Sequence, residues 1–360
     1  MWVKVPHVDV NMGLVYDDLG RYEEALGKYE EARRVYVERE MWVDVADVDV
    51  NMGVVYRHLG RYEEALRKYE EVRRVFIEHE MWVEVAQVDM NMGNVYLHLG
   101  RYEEALGKYG EARRVYVERE MWVKVADVDV NMGNVYVHLG RYEEALGKYE
   151  EALRILDSIP PPPGMSYSYP AQRWVIYKNR GLAYEALRQW EEALASYREA
   201  LAVIESIRGY LKTEELKLAW GERTKDVYER LIDLLYRLGQ GVSAFPYTER
   251  CRARTFLDIL YQGGAKPEQF IGPKEGVVAG VVDPQAIDQA IQNALSLLKP
   301  HEAVLSYFVT RYGVYLWIVT QDGVSDPLFF PYPREKLMRD VLSARKDLER
   351  VGVGLSLIHI

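Results

Sequence analysis

The sequence has 360 residues, of which 49% are hydrophobic, a composition typical of folded rather than disordered chains. Its formal net charge of −10 argues against non-specific binding to nucleic acid or to an anionic membrane, because both need a positive protein surface. Protein or peptide partners are therefore expected. A single cysteine, Cys251, excludes an internal disulfide, and the chain shows neither a signal-peptide pattern nor an apolar run of membrane-spanning length, so we expect a cytoplasmic protein.

A segment of 40 residues occurs four times with small changes. The four copies begin at Met1, Met41, Met81 and Met121. Within each copy, apolar residues recur at helical spacing in two stretches separated by a glycine, which is Gly60 in the second copy. A helix pair of this kind cannot bury its apolar face alone, but stacking on further copies buries it. The sequence therefore predicts a mainly α-helical solenoid over residues 1–157.

The pattern of small and aromatic residues in each copy is specific. In the first copy it consists of Met12, Gly13, Tyr16, Gly20, Tyr22, Ala25, Tyr29 and Ala32. This pattern resembles the tetratricopeptide repeat (TPR), whose usual period is about 34 residues. The lengthened unit is similar to the TPRs of kinesin light chains and of bacterial multi-domain sensors. The resemblance implies a right-handed superhelix, and small residues at Gly13 and Ala25 predict that the two helix axes approach closely there.

The resemblance also implies that the first helix of each pair lines a concave face. One repeated polar position on that helix is occupied by Asn11, Asn51, Asn91 and Asn131. A carboxamide both donates to and accepts from a peptide backbone, so this row is the candidate peptide-binding groove. Kinesin-light-chain-type TPRs use asparagines at this position for ligands. The alternative, that each asparagine bonds the neighbouring repeat, is equally compatible with the sequence.

Two further rows recur with the repeat. The first consists of His58, His98 and His138, with Asp18 in the first copy, and the second of Trp2, Trp42, Trp82 and Trp122. One histidine per helix pair does not fit zinc-ligand spacing, so we expect solvated residues near the helix ends and no metal or cofactor. The tryptophans are predicted to pack between repeats rather than to form a binding cage.

The period breaks at residues 158–170, where four consecutive prolines predict a stiff linker. A fifth, diverged copy follows within residues 171–262, which are predicted to be helical. Its matching residues are Asn179, Gly181, Tyr184, Trp190, Ala193, Tyr197 and Ala200. Arg188 stands where the glycine between the helices is expected, so we predict a different turn there.

The end of the helical region carries a second resemblance. Its residues are Glu249, Arg250, Arg252, Ala253, Arg254, Phe256, Leu257 and Leu260, and they resemble the helix that leads into a CHAT domain, a caspase-like domain commonly fused behind TPRs. After a Gly/Pro-rich linker at 263–284, residues 285–354 resemble the opening half of that domain. They comprise an amphipathic helix (Ala286–Leu298), β-rich runs, and a charged helix (Arg334–Arg350). A small mixed sheet is predicted from residues after 300 only.

The resemblance implies an α/β caspase-like domain that is incomplete, because the family's catalytic histidine and cysteine follow later strands. Cys251 and His301 precede those positions, so we expect no catalytic residue and no peptidase activity in this chain. The apolar end at 355–360 is expected to be a non-native tail on a gene fragment. The predicted function is the protein-binding solenoid of a bacterial TPR–CHAT sensor–peptidase; the alternative is a non-enzymatic TPR adaptor or scaffold.

Overall fold

The computed structural model describes residues 6–163, 166–211, 213–248, 251, 277–278, 281–282, 303–320 and 323–331. The chain divides into two compact units, Met1–Pro160 and Pro161–Ile360. Several predictions lie outside the described residues. They concern Trp2, the arginine-rich stretch after Cys251, most of the linker at 263–284, the helices Ala286–Leu298 and Arg334–Arg350, His301, and the tail at 355–360.

The first unit consists of helix pairs, one for each 40-residue copy. Its helices are α1 (Pro6–Asp18), α2 (Tyr22–Glu38), α3 (Trp42–His58), α4 (Tyr62–Glu78), α5 (Trp82–His98), α6 (Tyr102–Glu118), α7 (Trp122–His138) and α8 (Tyr142–Asp157). Consecutive helices from α1 to α8 pack against one another, and the first helices α1, α3, α5 and α7 also contact one another in succession. This is the predicted solenoid arrangement, in which each pair buries its apolar face on the next.

A glycine on each first helix sets the distance to its second helix. In the second copy, a Cβ atom added to Gly53 would lie 2.5 Å from Cε1 of Tyr69, whose ring is fully buried. A Cβ atom added to Gly93 would likewise lie 2.5 Å from Cε1 of Tyr109. The close approach predicted from the small residues is therefore a tyrosine ring packed directly on a glycine, and any side chain at that glycine would displace the ring.

Left-handed residues form the turns of the solenoid. Within a pair, Gly60 has a φ of +72°, and the amide of Arg61 donates to the carbonyl oxygen of Tyr56 at 2.8 Å. In the fifth pair, Arg188 has a φ of 59°, and the amide of Gln189 donates to Tyr184 at 2.9 Å. The prediction of a different turn at Arg188 is therefore wrong. The hydrogen-bonded turn is retained, and a non-glycine residue adopts the left-handed conformation that the turn requires.

The second unit continues with the helices α9 (Pro170–Ala186), α10 (Trp190–Tyr210) and α11 (Glu214–Arg237). Residues 241–248 are also helical. The α9–α10 pair is the diverged fifth repeat, and α10 packs next against α11. Helix α11 begins at the capping residue Thr213, whose side chain accepts a hydrogen bond from the amide of Leu216 at 3.3 Å.

The strands of the second unit pair antiparallel. They are β1 (Val277–Val278), β2 (Val281–Val282), β3 (Ala303–Val309), β4 (Val314–Thr320), β5 (Gly323–Val324) and β6 (Leu328–Phe330). Strand β4 pairs with β3 and also with both β5 and β6, and β1 pairs with β2. The prediction of a mixed sheet built only from residues after 300 is wrong on two points. Every described strand pair is antiparallel, and β1 and β2 lie before residue 300. Consecutive strands joined by short turns pair antiparallel, since a parallel pair needs a crossover of a dozen or more residues.

The larger sheet shares its hydrophobic core with the helices of its own unit. The side chains of Tyr315 and Trp317 are fully buried in one cluster with Leu231 and Leu235 of α11. Trp317 Nε1 donates to the carbonyl oxygen of Gly241 at 3.1 Å. The indole and its hydrogen bond therefore attach the sheet to the helical segment at 241–248, and sheet and helices form one packed body.

Candidate functional site

The four predicted groove asparagines lie on successive first helices. Asn51, Asn91 and Asn131 are half-buried, and Asn11 is exposed. Within the part of the chain that the structure describes, their side chains make no hydrogen bond to a neighbouring helix. Because α1, α3, α5 and α7 are adjacent along the stack, the four carboxamides form a row on one layer of helices. Their donors and acceptors face no partner among the described residues.

A second asparagine position accompanies this row in the third and fourth copies, and sequence reasoning missed it. The hydroxyl of Tyr109 donates to Oδ1 of Asn94 at 2.7 Å, and Tyr149 donates to Asn134 at 2.8 Å. The corresponding residues of the first two copies are apolar. They are Leu14 and Val54, and the buried hydroxyls of Tyr29 and Tyr69 have no hydrogen-bond partner within the described structure. The sequence feature that could have revealed it is the change from an apolar residue to asparagine at one repeat position.

The histidine row packs on tyrosines of the preceding copy. The rings of His98 and Tyr62 are stacked with centroids 5.7 Å apart, and His138 stacks on Tyr102 at 5.6 Å. Burial, together with the charges of Arg57 and His138, lowers the pKa of His98. Among the described residues no group of three or more metal-ligating side chains occurs. The histidines lie at helix ends as predicted, but they also join adjacent copies.

The tryptophan row is only partly packed. Trp42 is 51% exposed, Trp82 42% and Trp122 47%. Each is the first residue of its helix, α3, α5 or α7, where the helix begins at the edge of the stack. About half of each tryptophan thus stays exposed, and the prediction that these residues pack between repeats can concern only the other half.

A buried carboxylate joins each repeat to the one before it, and sequence reasoning missed this network too. Asp89 on α5 is 2% exposed. It accepts hydrogen bonds from Arg73 Nε of the preceding copy at 2.8 Å and from Lys108 Nζ of its own copy at 3.0 Å. Asp49 and Asp129 make the same pairs. The sequence feature that could have revealed this network is an aspartate repeated on an otherwise apolar helix face.

Carboxyl groups also gather near the starts of the later first helices. Burial and the neighbouring charges of Asp44 and Glu84 raise the pKa of Asp47 on α3, and burial also raises the pKa of Asp127 on α7. Both aspartates lie one helical turn before a groove asparagine, Asn51 or Asn131. This part of the asparagine-bearing layer therefore disfavours additional negative charge.

The second unit offers no comparable site in its described part. Cys251 is half-buried and packs against the hydrophobic core of that unit. This agrees with the packing role expected for it.

Among the helices that the structure describes, none combines the length and the apolar character required to span a membrane.

Comparison with protein families identifies the repeats. Models of the tetratricopeptide repeat match residues 5–78 and 84–158, residues 50–114, and residues 174–205. Together these matches span more than half of the chain. The comparison with curated proteins gives no match.

Several solved structures are similar to this chain at low sequence identity. BtubC (BKLC) from P. vanneervenii is 23% identical, over 56% of this chain and 80% of that one, with a TM-score of 0.49. A putative kinesin light chain with nearly identical TPR-like repeats, from Podosopora anserina, is 15% identical. The similarity covers 56% of this chain and 97% of that one, with a TM-score of 0.46. The TPR protein TTC0263 from Thermus thermophilus is 20% identical. The similarity covers 62% of this chain and 98% of that one, with a TM-score of 0.43. With the repeat models matched along the helix pairs, the chain belongs to the tetratricopeptide-repeat family.

Proposed function

We propose that the first unit binds an extended peptide segment of a protein partner along the asparagine row. Its contact residues are Asn11, Asn51, Asn91 and Asn131. The observation that carries the proposal is that these carboxamides are accessible and make no hydrogen bond to the described protein. A peptide backbone would supply one donor or acceptor to each amide in turn, without its side chains being read.

Acidic residues on the same helices as the asparagine row limit the chemistry of the partner. Asp47 lies one helical turn before Asn51, and Asp44 and Glu84 lie about two turns before Asn51 and Asn91. The charges of Asp44 and Glu84 add to burial in raising the pKa of Asp47. A strongly acidic segment would add repulsion there. The partner segment is therefore neutral or basic over these two copies, and neither nucleic acid nor an anionic membrane is its target.

The test is a binding titration with a partner captured on the full chain. Changing both Asn51→Ala and Asn91→Ala removes two amide contacts, each worth about 0.5–1.5 kcal/mol. We expect binding to weaken by about tenfold or more, since each 1.4 kcal/mol is a factor of ten. The melting temperature of the double variant should stay close to that of the parent, because neither side chain bonds a neighbouring helix in the described structure.

Asn94→Ala is the matched control, because Asn94 lies one turn away on the same helix but accepts the hydrogen bond of Tyr109. This variant should lower the melting temperature and leave the affinity of the folded protein largely unchanged. If Asn51→Ala with Asn91→Ala instead lowers the melting temperature at constant affinity, the asparagines are structural and the proposal fails.

We further propose that the parent protein is a bacterial, cytoplasmic TPR–CHAT sensor–peptidase. In this proposal residues 1–157 hold the four repeats, 158–170 and 263–284 are linkers, and 171–262 lead into the CHAT domain. Residues 285–354 form the start of that domain, and 355–360 are a non-native tail. The support is the residue pattern around Cys251 and the β-rich runs that follow helices. Because the sheet packs on α11, an adaptor whose sheet only completes the scaffold is the second candidate.

The contiguous gene separates these two candidates. A peptidase requires a later strand that ends at a histidine and another that ends at a cysteine, so that the thiolate attacks a peptide carbonyl and the histidine protonates the leaving amine. A gene that continues without both residues would establish the adaptor. Purified chain of 360 residues should cleave no protein in either case, and Cys251→Ser should change neither stability nor binding.

A further inference from the structure

A row of tryptophans lies along one edge of the first unit. Trp42, Trp82 and Trp122 are the first residues of α3, α5 and α7, and about half of each side chain is exposed. Because these three helices contact one another in succession, the indoles follow each other along the stack. Singly exposed apolar residues are ordinary, but a repeated row of large aromatic side chains is typical of an interaction surface.

The turn before each of these tryptophans places a glutamate in a strained conformation. Glu80 has a φ of +57°, in the left-handed region that disfavours residues with a Cβ atom, and its carbonyl oxygen accepts from the amide of Trp82 at 3.1 Å. Glu40 and Glu120 have φ values of +56° and +55°. Backbone strain of this kind is common at functional sites. Each turn therefore holds a carboxylate beside a tryptophan at a position where glycine would cost less.

These carboxylates have no counter-charge in the part of the chain that the structure describes. Glu78 and Glu80 are exposed and form no ion pair among the described residues. By contrast, Glu64, at the other edge of the same stack, pairs with Arg61. The edge with the tryptophans thus carries the uncompensated negative charge.

The opposite edge shows which group a ring and a carboxylate bind together in this protein. Cζ of Arg61 lies 4.6 Å from the ring centroid of Tyr56, while the guanidinium also pairs with Glu64. The arrangement recurs at 4.6 Å for Arg101 over Tyr96. The cations that lie over rings in the described structure do so away from the tryptophan row. That row offers ring and carboxylate without the arginine.

The three turns differ in charge. Around Trp82 the sequence is acidic, with Glu78, Glu80 and Glu84 and a histidine, His79, between the first two. The turns before Trp42 and Trp122 carry an arginine at the position of His79, and the fourth copy carries a lysine at the position of Glu84. These residues are Arg39, Arg119 and Lys124. A cation is therefore attracted most strongly at Trp82 and least at Trp122.

We propose that this edge binds an arginine-bearing segment of a protein partner. Its contact residues are Trp42 and Trp82 with the glutamates of the preceding turns, Glu38, Glu40, Glu78 and Glu80. Each guanidinium lies over an indole face and pairs with a carboxylate, a combination that suits arginine because its planar group stacks and hydrogen-bonds at once. The surface is separate from the asparagine row, since Trp42 and Asn51 are about two and a half helical turns apart and project from opposite sides of α3.

The test is a titration of the full chain with a fluorescently labelled peptide, followed by anisotropy. The probe carries arginine at every third position with prolines between, because a polyproline II helix repeats about every 9 Å and packed helix axes lie about 8–10 Å apart. The control peptide has glutamine in place of arginine. Trp82→Leu keeps an apolar side chain but removes the ring, and it should weaken binding about two- to fivefold. Trp122→Leu is the matched variant and should weaken it less than about twofold.

Charge changes in the turns provide a second measurement. His79→Arg adds a permanent positive charge beside Trp82 and should weaken binding, whereas Arg119→His removes one beside Trp122 and should strengthen it. Glu80→Gly removes a carboxylate and also relieves the left-handed strain. It should weaken binding about two- to threefold while the melting temperature stays unchanged or rises, a combination that a purely structural glutamate would not give.

Three results would overturn the inference. Equal affinity for the arginine and glutamine peptides would show that no cation is recognised. Equal effects of Trp82→Leu and Trp122→Leu would show that the charge of the turns does not select the site. Loss of peptide binding in the variant with both Asn51→Ala and Asn91→Ala would place the peptide on the asparagine row. Because binding at the tryptophans should survive that variant, failure of this inference is distinguishable from failure of the proposed asparagine groove.

Discussion

The first and third copies of the repeat differ more in their surroundings than in their sequences. Asp9 is paired with one lysine at 3.5 Å, whereas Asp89 holds an arginine at 2.8 Å and a lysine at 3.0 Å. Val15 is 56% exposed, and its equivalent Val95 is fully buried. The same repeat residue therefore contributes a different free energy of stabilisation in different copies. The energy of a repeat residue depends on whether a helix covers it from the preceding side, as expected where each repeat contacts its nearest neighbours.

The largest effect should come from the buried carboxylate. Asp89→Asn removes the buried counter-charge that Arg73 and Lys108 share and leaves them only the more exposed Glu111, at 3.1 Å and 2.8 Å. Since hydrogen bonds to charged groups contribute about 1.5–3 kcal/mol, we expect the free energy of unfolding to fall by about that amount. Asp9→Asn is the matched change in the first copy and should cost less than about 1 kcal/mol, since its pair is long and partly solvated. Urea titrations of both variants measure the difference. Equal losses would mean that coverage by the preceding helix does not set the strength of this pair.

The glycine–tyrosine contact should come next. Gly93→Ala places a Cβ atom 2.5 Å from the ring of Tyr109, and such overpacking costs about 1–3 kcal/mol. A Cβ atom added to Gly107, on the second helix of the same copy, would meet no other atom within 4 Å. Gly107→Ala should therefore stabilise the protein by up to about 1 kcal/mol through helix propensity alone. Thermal unfolding of the pair distinguishes a steric requirement at Gly93 from a general effect of glycine in helices.

The sequence predicts the repeats well because their determinants are local and repeat. The spacing of glycine, alanine and tyrosine predicts the helix pairs, the close approach of the helices at the glycine of each first helix, and the turn at Gly60, and all three occur. The carboxylate network is not predictable in the same way. An aspartate such as Asp89 is simply a polar residue in the sequence until its distance to Arg73, on the preceding helix, is known.

Two other predictions are wrong for different reasons. The sequence predicts a changed turn at Arg188, yet this residue adopts the left-handed conformation and the turn hydrogen bond from Gln189 to Tyr184 is retained. The β-rich runs predict a mixed sheet, but short connections join β3 to β4 and make the pairing antiparallel. For the candidate site, the sequence indicates the position of the asparagines, whereas only the structure shows that Asn94 bonds a tyrosine and Asn91 does not.

A smaller effect should follow from exchanging the residues that differ between copies. Val54→Asn supplies the oxygen that the hydroxyl of Tyr69 lacks, and a net hydrogen bond of this kind is worth about 0.5–1.5 kcal/mol. The reciprocal change, Asn94→Val, leaves the hydroxyl of Tyr109 buried without a partner and should destabilise by about 1–3 kcal/mol. Denaturant titrations of the two single variants provide the measurement. Adding Tyr69→Phe to Val54→Asn is the control, because the gain should disappear once the hydroxyl is removed.

The smallest effect concerns the turn of the fifth pair. Arg188 is held at a φ of 59°, where a side chain costs roughly 1–2 kcal/mol relative to the right-handed region. Glycine adopts this conformation without that cost but loses more entropy on folding, by about 0.5–1 kcal/mol. Arg188→Gly should therefore raise the free energy of unfolding by about 1 kcal/mol or less. Gly140→Arg makes the opposite change at the same turn position of the fourth pair, where φ is 71°, and should lower stability by a similar amount. Both variants should keep the turn hydrogen bond, seen as unchanged exchange protection of the amides of Gln189 and Arg141. If Arg188→Gly destabilises the protein instead, contacts of the arginine side chain outweigh the backbone strain, and the turn of the fifth pair is not equivalent to the others.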